Sequence, residues 1–167
     1  VLEDTVVVVT ADHGEMLGEK DSFGRHRMGH EAAMSEHLSR VPLVISHPSL
    51  ENKRIRENVS LKDIYGFLLE AATVGNIDLN QLFARDTAFC EYPALGDERM
   101  YEEYPNVRDQ IIKQRVSQDT VSGYSSEWYV VINSDGMETA KSNGEQQSVK
   151  NAPNELTDQI RFNLDAL

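Results

Sequence analysis

Uninterrupted apolar runs occur at only a few places in this chain, and each has the length of a strand. The first is Thr5-Val6-Val7-Val8-Val9, almost entirely β-branched, running into Thr10-Ala11-Asp12-His13-Gly14-Glu15. It has no polar alternation, so it reads as a strand buried on both faces, the habit of a parallel sheet covered by helices. Arg40-Val41-Pro42-Leu43-Val44-Ile45-Ser46 reads as a second buried strand, with Pro42 near its start, where a missing N–H is tolerated. Thr87 to Tyr92 forms a third, stopped by Pro93. Glu127 to Ile132 and Met137 to Ala140 flank Asn133-Ser134-Asp135-Gly136, the pattern of a β-hairpin closed by glycine.

Helical spacing is clearest after Ser60. Apolar residues recur at Leu61, Ile64, Leu68, Leu69 and Ala72, with Ser60 as N-cap, Asp63 in the first turn and Gly75 just past the end. This helix, over about 61–74, is expected to pack on the sheet. A closing helix over about 155–167 carries Leu156, Ile160 and Leu164 on one side, with Asn154 as its cap. Shorter helices fit 30–38 and 106–115, the latter within a charged stretch from Gly96 to Gln118. The segment 77–83 reads as a loop or a short turn of helix, and 141–154 reads as a loop. So does Glu15 to Gly29, which holds Gly18, Gly24 and Gly29 with Lys20, Arg25, His26 and Arg27. Long loops inside compact domains are usually functional. No internal repeat is visible.

At 167 residues the chain has room for one domain and a small appendage. The division expected is an α/β portion over 1–95 and a small C-terminal subdomain over 96–167, holding the hairpin at about 127–140 and the helix at about 155–167. The net charge of −12, from 28 acidic and 16 basic residues, argues against nucleic acid as a partner, because phosphate neutralisation needs a basic face. No apolar run reaches membrane-spanning length. The single cysteine, Cys90, excludes an internal disulfide and a cysteine-cluster zinc site, and reads as a small buried apolar residue. A core strand follows almost at once after Val1, which leads to the expectation of a fragment.

The chemistry concentrates where the first strand ends. Asp12 and His13 offer one hard oxygen and one borderline nitrogen, a pair suited to zinc, manganese or iron, or with more oxygens to calcium or magnesium. Gly14 is expected to permit the bend that lets adjacent residues reach one ion. His30, after Gly29 and before the second strand, is placed to return to the same sheet edge. Arg25, His26 and Arg27 fit solvated loop charges or an anion clamp, since guanidinium matches sulfate and phosphate oxygens. Tyr92, Tyr101, Tyr104 and Trp128 are expected to bridge the core and the hairpin layer, and Glu102-Glu103 to form a solvated face.

In register, Thr10-Ala-Asp-His-Gly-Glu-Met-Leu-Gly-Glu19, then Gly29-His30, then Arg40-Val-Pro-Leu-Val-Ile45, and Val59-Ser-Leu-Lys-Asp63 resemble the sulfatase family of the alkaline phosphatase superfamily. The likeness is in motifs over residues 5–72 and in layout alone from Ile77 onward. It implies an α/β fold: part of an alkaline-phosphatase-like, mostly parallel sheet flanked by helices, with a small C-terminal hairpin and helix subdomain. It implies a divalent metal ion (Ca2+, Zn2+ or Mn2+) held by Asp12 and His13, the latter matching a ligand that is asparagine in many calcium-dependent members. A basic residue that contacts the sulfuryl or phosphoryl group is matched by His30 from its Gly-His position, or by Arg25 on counting forward from Asp12.

One departure limits the resemblance. The family's nucleophile motif, Cys/Ser-x-Pro-x-Arg, and its further metal-binding aspartates are absent; Cys90-Glu91-Tyr92-Pro93 has the wrong spacing and lacks the arginine. The sequence therefore resembles a portion of a metal-dependent hydrolase of sulfate esters, inactive alone and dependent on a missing N-terminal part. A phosphoryl or phosphoglycerol transferase, phosphodiesterase or phosphomutase of the same superfamily is the second reading, slightly favoured by His13 in place of asparagine. A non-catalytic, truncated acidic domain is the third. With two ligands, Asp12-His13 is expected to form half of a site.

Overall fold

The computed structural model describes residues 2–30, 34–75, 77, 79, 86–94 and 118–167. Its largest layer is an antiparallel sheet of five strands in chain order: β5 (Ala88–Tyr92), β6 (Thr120–Tyr124), β7 (Trp128–Asn133), β8 (Glu138–Ser142) and β9 (Glu145–Gln147). Two further antiparallel pairs precede it. One joins β1 (Val7–Thr10) to β4 (Leu43–Ser46), and the other joins β2 (Met16–Lys20) to β3 (His26–Gly29). The helices are α1 (Glu36–Ser39), α2 (Ile64–Val74) and α3 (Asn154–Asp165), the last corresponding to the expected closing helix. The protein is thus a mixed α/β chain. Among the described residues, no helix is long and apolar enough to cross a membrane.

The core sits on both sides of β7. Val130 and Ile132 point to one face, where Val121 and Ala140 join Leu156 and Ile160 of α3. Tyr129 and Val131 point to the other, against Met34, Phe23, Cys90, Tyr92 and Tyr124. Strand alternation sends neighbours to opposite faces, so a continuous apolar run is covered only when both faces have a layer. Each fully buried Val or Ile here contributes about 1.5–3 kcal/mol relative to exposure. Gly123 of β6 lets α3 come close: a Cβ there would lie 2.8 Å from Ile160 Cδ1 and 2.9 Å from Leu156 Cδ1.

Ser22, Glu36 and Ser39 are fastened to the second face by polar contacts. Ser22 Oγ lies 3.0 Å from the Tyr129 hydroxyl, Ser39 Oγ 2.5 Å from the Tyr124 hydroxyl, and Lys141 Nζ 3.1 Å from Glu36 Oε2. The two tyrosine rings stack at 4.5 Å. Burial, and then the neighbouring Tyr129, raises the Tyr124 pKa; burial also raises that of Tyr129 and of the Cys90 thiol.

Several expectations are corrected. The first apolar run is not a parallel strand covered on both faces: β1 pairs antiparallel with β4, Val7 opposite Ser46 and Val9 opposite Val44, and Val7, Val9 and Val44 are exposed. Among the described residues β4 is the only strand beside β1, and a two-stranded ribbon has no layer to cover it. The mostly parallel sheet is therefore not present among the described residues, where every pairing is antiparallel.

The stretch from Glu15 to Gly29 is the β2–β3 hairpin, with Gly18, Gly24 and Gly29 at positive φ, and not a structureless loop. The helix after Ser60 opens as a 3-10 turn, Leu61–Asp63, without a side-chain cap from Ser60; α2 then ends at Gly75 with φ 69°. Its buried residue is Phe67, while Leu68, Leu69 and Ala72 face outward. The supposed loop 141–154 contains β9, reached through Asn143-Gly144, both at positive φ. Asn-Gly between strands is the sequence signal for such a turn. The expected helix over 106–115, with Tyr101, Tyr104, Glu102 and Glu103, lies outside the described residues.

Candidate metal and anion site

Asp12 and His13 stand in the turn that leaves β1. The Asp12 carboxylate is exposed and accepts the His13 backbone N–H at Oδ1, 2.9 Å. That bond, followed by the Asp12 backbone N–H and the charge of His13, holds its carboxyl below the usual range, so Asp12 is ionised at neutral pH. His13 Nδ1 lies 2.8 Å from the Gly14 carbonyl oxygen. A carbonyl only accepts, so Nδ1 carries the proton and the neutral ring presents its lone pair at Nε2. Nε2 lies 3.6 Å from Asp12 Oδ2.

Gly14 holds this turn in place, for a reason different from the expected one. Its φ is not in the left-handed region. Instead its N–H donates to the Leu38 carbonyl at 2.8 Å, and a Cβ would stand 1.9 Å from the His37 carbonyl oxygen. Only glycine allows the turn to lie this close to α1. Met16, fully buried, packs on Leu38 directly beyond it.

The β2–β3 ladder then brings His30 back. Met16 pairs with Gly29, so one step further along an antiparallel register sets Glu15 opposite His30. His30 Nδ1 lies 3.1 Å from Glu15 Oε2, and the His30 ring stacks on His13 with centroids 4.1 Å apart and planes inclined by 29°. One donor atom each from His13, Glu15 and His30 lies within 4.8 Å of the other two. The three side chains are about half exposed, which leaves them open to solvent.

Of the residues picked from sequence, the structure gathers Asp12, His13 and His30 at the foot of the hairpin. It does not bring Arg25 there. Arg25 sits at the hairpin tip, beyond the Lys20–His26 pair, on the order of 10 Å of strand away. Its main chain wraps Asp21, an almost fully buried carboxylate that sequence reasoning missed. Asp21 Oδ1 accepts the Phe23 and Arg25 N–H groups at 3.0 and 2.9 Å, and Oδ2 accepts Arg27 Nε at 2.8 Å. Arg27 is therefore committed to the hairpin, and His26 Nδ1 donates to the Gly18 carbonyl at 2.7 Å. Glu15 was also missed, although it stands within the Asp-His-Gly-Glu motif; the signal was the hairpin register that sets it against His30.

The donor set, two imidazoles with Glu15 and Asp12 beside them, could hold a divalent metal ion. The sulfatase family profile matches residues 1–74, the stretch that contains β1, the Asp12-His13 turn, the hairpin and β4. Residues 1–74 are similar to the sulfatase family. An arylsulfatase K of Bos taurus is 37% identical over 75 residues, covering 44% of this chain and 13% of that protein. A sulfatase of Formosa agariphila is 33% identical over 87 residues, covering 52% of this chain and 15% of its own length. An uncharacterized sulfatase of Escherichia coli is 32% identical over 72 residues, 43% of this chain and 14% of that protein. The matched part of this chain thus spans 13–15% of the length of these relatives. No solved structure matches it.

Proposed function

We propose that this chain supplies part of the active site of a metal-dependent sulfatase-like hydrolase of sulfate esters, working within a longer polypeptide. The observation that carries the reading is the sulfatase-family match over 1–74, whose Thr10–Glu19 motif contains the ionised Asp12 and the fixed tautomer of His13. In that polypeptide, an alkaline-phosphatase-like α/β domain carries β1 and β4 and covers Val7, Val9 and Val44. Residues 1–95 then form the C-terminal portion of the large domain and 96–167 the small subdomain, joined through the β5–β6 pair.

Asp12 and His13 would hold the metal ion. When bound, such an ion polarises the ester oxygen and helps ionise a nucleophile. Asp12 contributes a carboxylate that stays charged at neutral pH because backbone N–H groups face it. His13 contributes Nε2, the lone-pair nitrogen of the neutral ring when Nδ1–H donates to the Gly14 carbonyl. His30, with Glu15 on its Nδ1, can present its other nitrogen to the anionic group of a substrate, and Arg25 is the second candidate for that role if the tip of the hairpin faces substrate.

The test uses the full-length polypeptide with 4-nitrophenyl sulfate. Asp12→Ala is expected to abolish turnover and lower metal content; normal activity and metal content would remove Asp12 from the site. His13, standing where asparagine is common, supports a second reading in which phosphate esters are the substrates. Faster turnover of 4-nitrophenyl phosphate or bis(4-nitrophenyl) phosphate would favour it. No turnover of any of these esters would point instead to a non-catalytic acidic domain.

A further inference from the structure

We infer that Asp21 is a positioning residue: it shapes the tip of the β2–β3 hairpin so that the Arg25 guanidinium stands free for the anionic group of a sulfate ester. The inference deepens the proposed function and rests on it for the identity of the anion.

Every polar group of Asp21 holds the tip. Its backbone N–H donates to the Arg25 carbonyl at 2.8 Å, and its own carbonyl accepts the Gly24 N–H at 2.9 Å. Its Oδ1 accepts the N–H groups of Phe23 and Arg25 at 3.0 and 2.9 Å, and its Oδ2 accepts Arg27 Nε at 2.8 Å. An aspartate that caps the N–H groups just after it closes a local turn, and burial strengthens such bonds by keeping water away. Gly24, with φ 81°, lets the chain reverse between Phe23 and Arg25. The main chain of Arg25 is thus bonded through both its N–H and its C=O to a residue only 5% exposed.

The tip is in turn docked on the rest of the chain. Ser22 N–H donates to the Met34 carbonyl at 2.9 Å, Ser22 Oγ lies 3.0 Å from the Tyr129 hydroxyl, and Phe23 packs beside Tyr129 and Val131. Met34 and Tyr129 are both buried, so the anchors are themselves fixed. A backbone held this way presents its side chain with less freedom left to lose on binding.

Charge separates the two arginines of the tip. The Asp21 carboxylate is shared among Arg27 and two backbone N–H groups, so Arg27 has its counter-ion and Asp21 has no oxygen left for the Arg25 side chain. Among the described residues the half-buried Arg25 guanidinium pairs with no carboxylate. A planar fork of N–H donors that is not already spent matches two oxygens of a sulfuryl group at once.

The full-length polypeptide is assayed with 4-nitrophenyl sulfate, and its affinity for inorganic sulfate is measured by calorimetry. Asp21→Asn and Arg25→Ala are each expected to lower kcat/KM tenfold or more and to weaken sulfate binding by a similar factor, with far-UV circular dichroism unchanged. In the Asp21→Asn, Arg25→Ala double variant the loss should equal that of Arg25→Ala alone, because Asp21 acts through Arg25. A merely structural Asp21 would cost the same whether or not Arg25 is present. Ser22→Ala, which frees the tip from Tyr129 alone, carries the test if Asp21→Asn does not fold: it should weaken sulfate binding threefold or more, and only where Arg25 is present.

Losses that multiply in the double variant, or kcat/KM and sulfate affinity untouched by Asp21→Asn, would overturn the positioning role. No turnover by the parent, with sulfate binding still lost in Asp21→Asn and Arg25→Ala, would overturn the hydrolase reading and leave the role of Asp21 standing. A parent that neither turns over the ester nor binds sulfate would overturn both.

Discussion

Gly14 and His37 approach so closely that a Cβ on Gly14 would stand 1.9 Å from the His37 carbonyl oxygen. Neither side of this contact is the flexible end of a side chain, so one backbone must move. Gly14→Ala is expected to destabilise the fold by about 3 kcal/mol, and to lower the metal content of the full-length polypeptide by displacing His13. Urea unfolding followed by circular dichroism checks it; a parent-like midpoint would show that the turn does not depend on this approach.

Asp21 organises the hairpin from below. It is almost fully buried and takes two backbone N–H groups and the Arg27 side chain. Removing one partner of a buried pair leaves the other charge uncompensated, so Asp21→Ala should cost about 3 kcal/mol. Asp21→Asn, which keeps one acceptor, should cost less. Hydrogen–deuterium exchange in β2 and β3 is the readout, since loss of Asp21 should speed exchange there before it affects β7.

Ser122 presents the opposite case. Its side chain is fully buried in β6, opposite Val131, and among the described residues its Oγ has no hydrogen-bond partner. A buried hydroxyl without a partner carries a desolvation cost that a methyl group does not. Ser122→Ala is expected to leave stability unchanged or raise it by about 1 kcal/mol, measured by the thermal midpoint. A clear drop would mean the hydroxyl is satisfied in solution.

Tyr124 and Tyr129 make stability sensitive to alkali. Burial raises both above the ordinary phenol value, so the unfolded chain loses their protons first as pH rises. Their contribution is fully present below the unfolded pKa of about 10 and declines above it toward the folded values. Absorbance at 295 nm should therefore show these two phenols ionising only with unfolding. Tyr124→Phe should shallow the alkaline loss; early ionisation in the native state would contradict the burial.

Much of the chain could be read from its pattern. The strands at Ala88–Tyr92, Trp128–Asn133 and Glu138–Ser142 and the closing helix follow from local periodicity and turn chemistry, which act over a few residues. The β2–β3 hairpin was hidden by its glycines, and β9 by a polar composition that outweighed the Asn143-Gly144 signal. At the site, Asp12 and His13 stood out because they are adjacent, and His30 because it follows Gly29. Glu15 gained its place only through the register that sets it against His30.

By itself the sequence determined that Asp12 and His13 end a β-branched strand, and that this strand and the segment after it carry the sulfatase pattern. It did not determine which apolar run is covered on both faces. The run at Thr5–Val9 looked the stronger candidate, yet Trp128–Asn133 is the one sandwiched, because α3 covers one of its faces and residues from 22–39 the other. A run of apolar side chains specifies that burial on both faces is favourable. The layers that provide it come from segments distant in sequence, and only the tertiary structure brings them together.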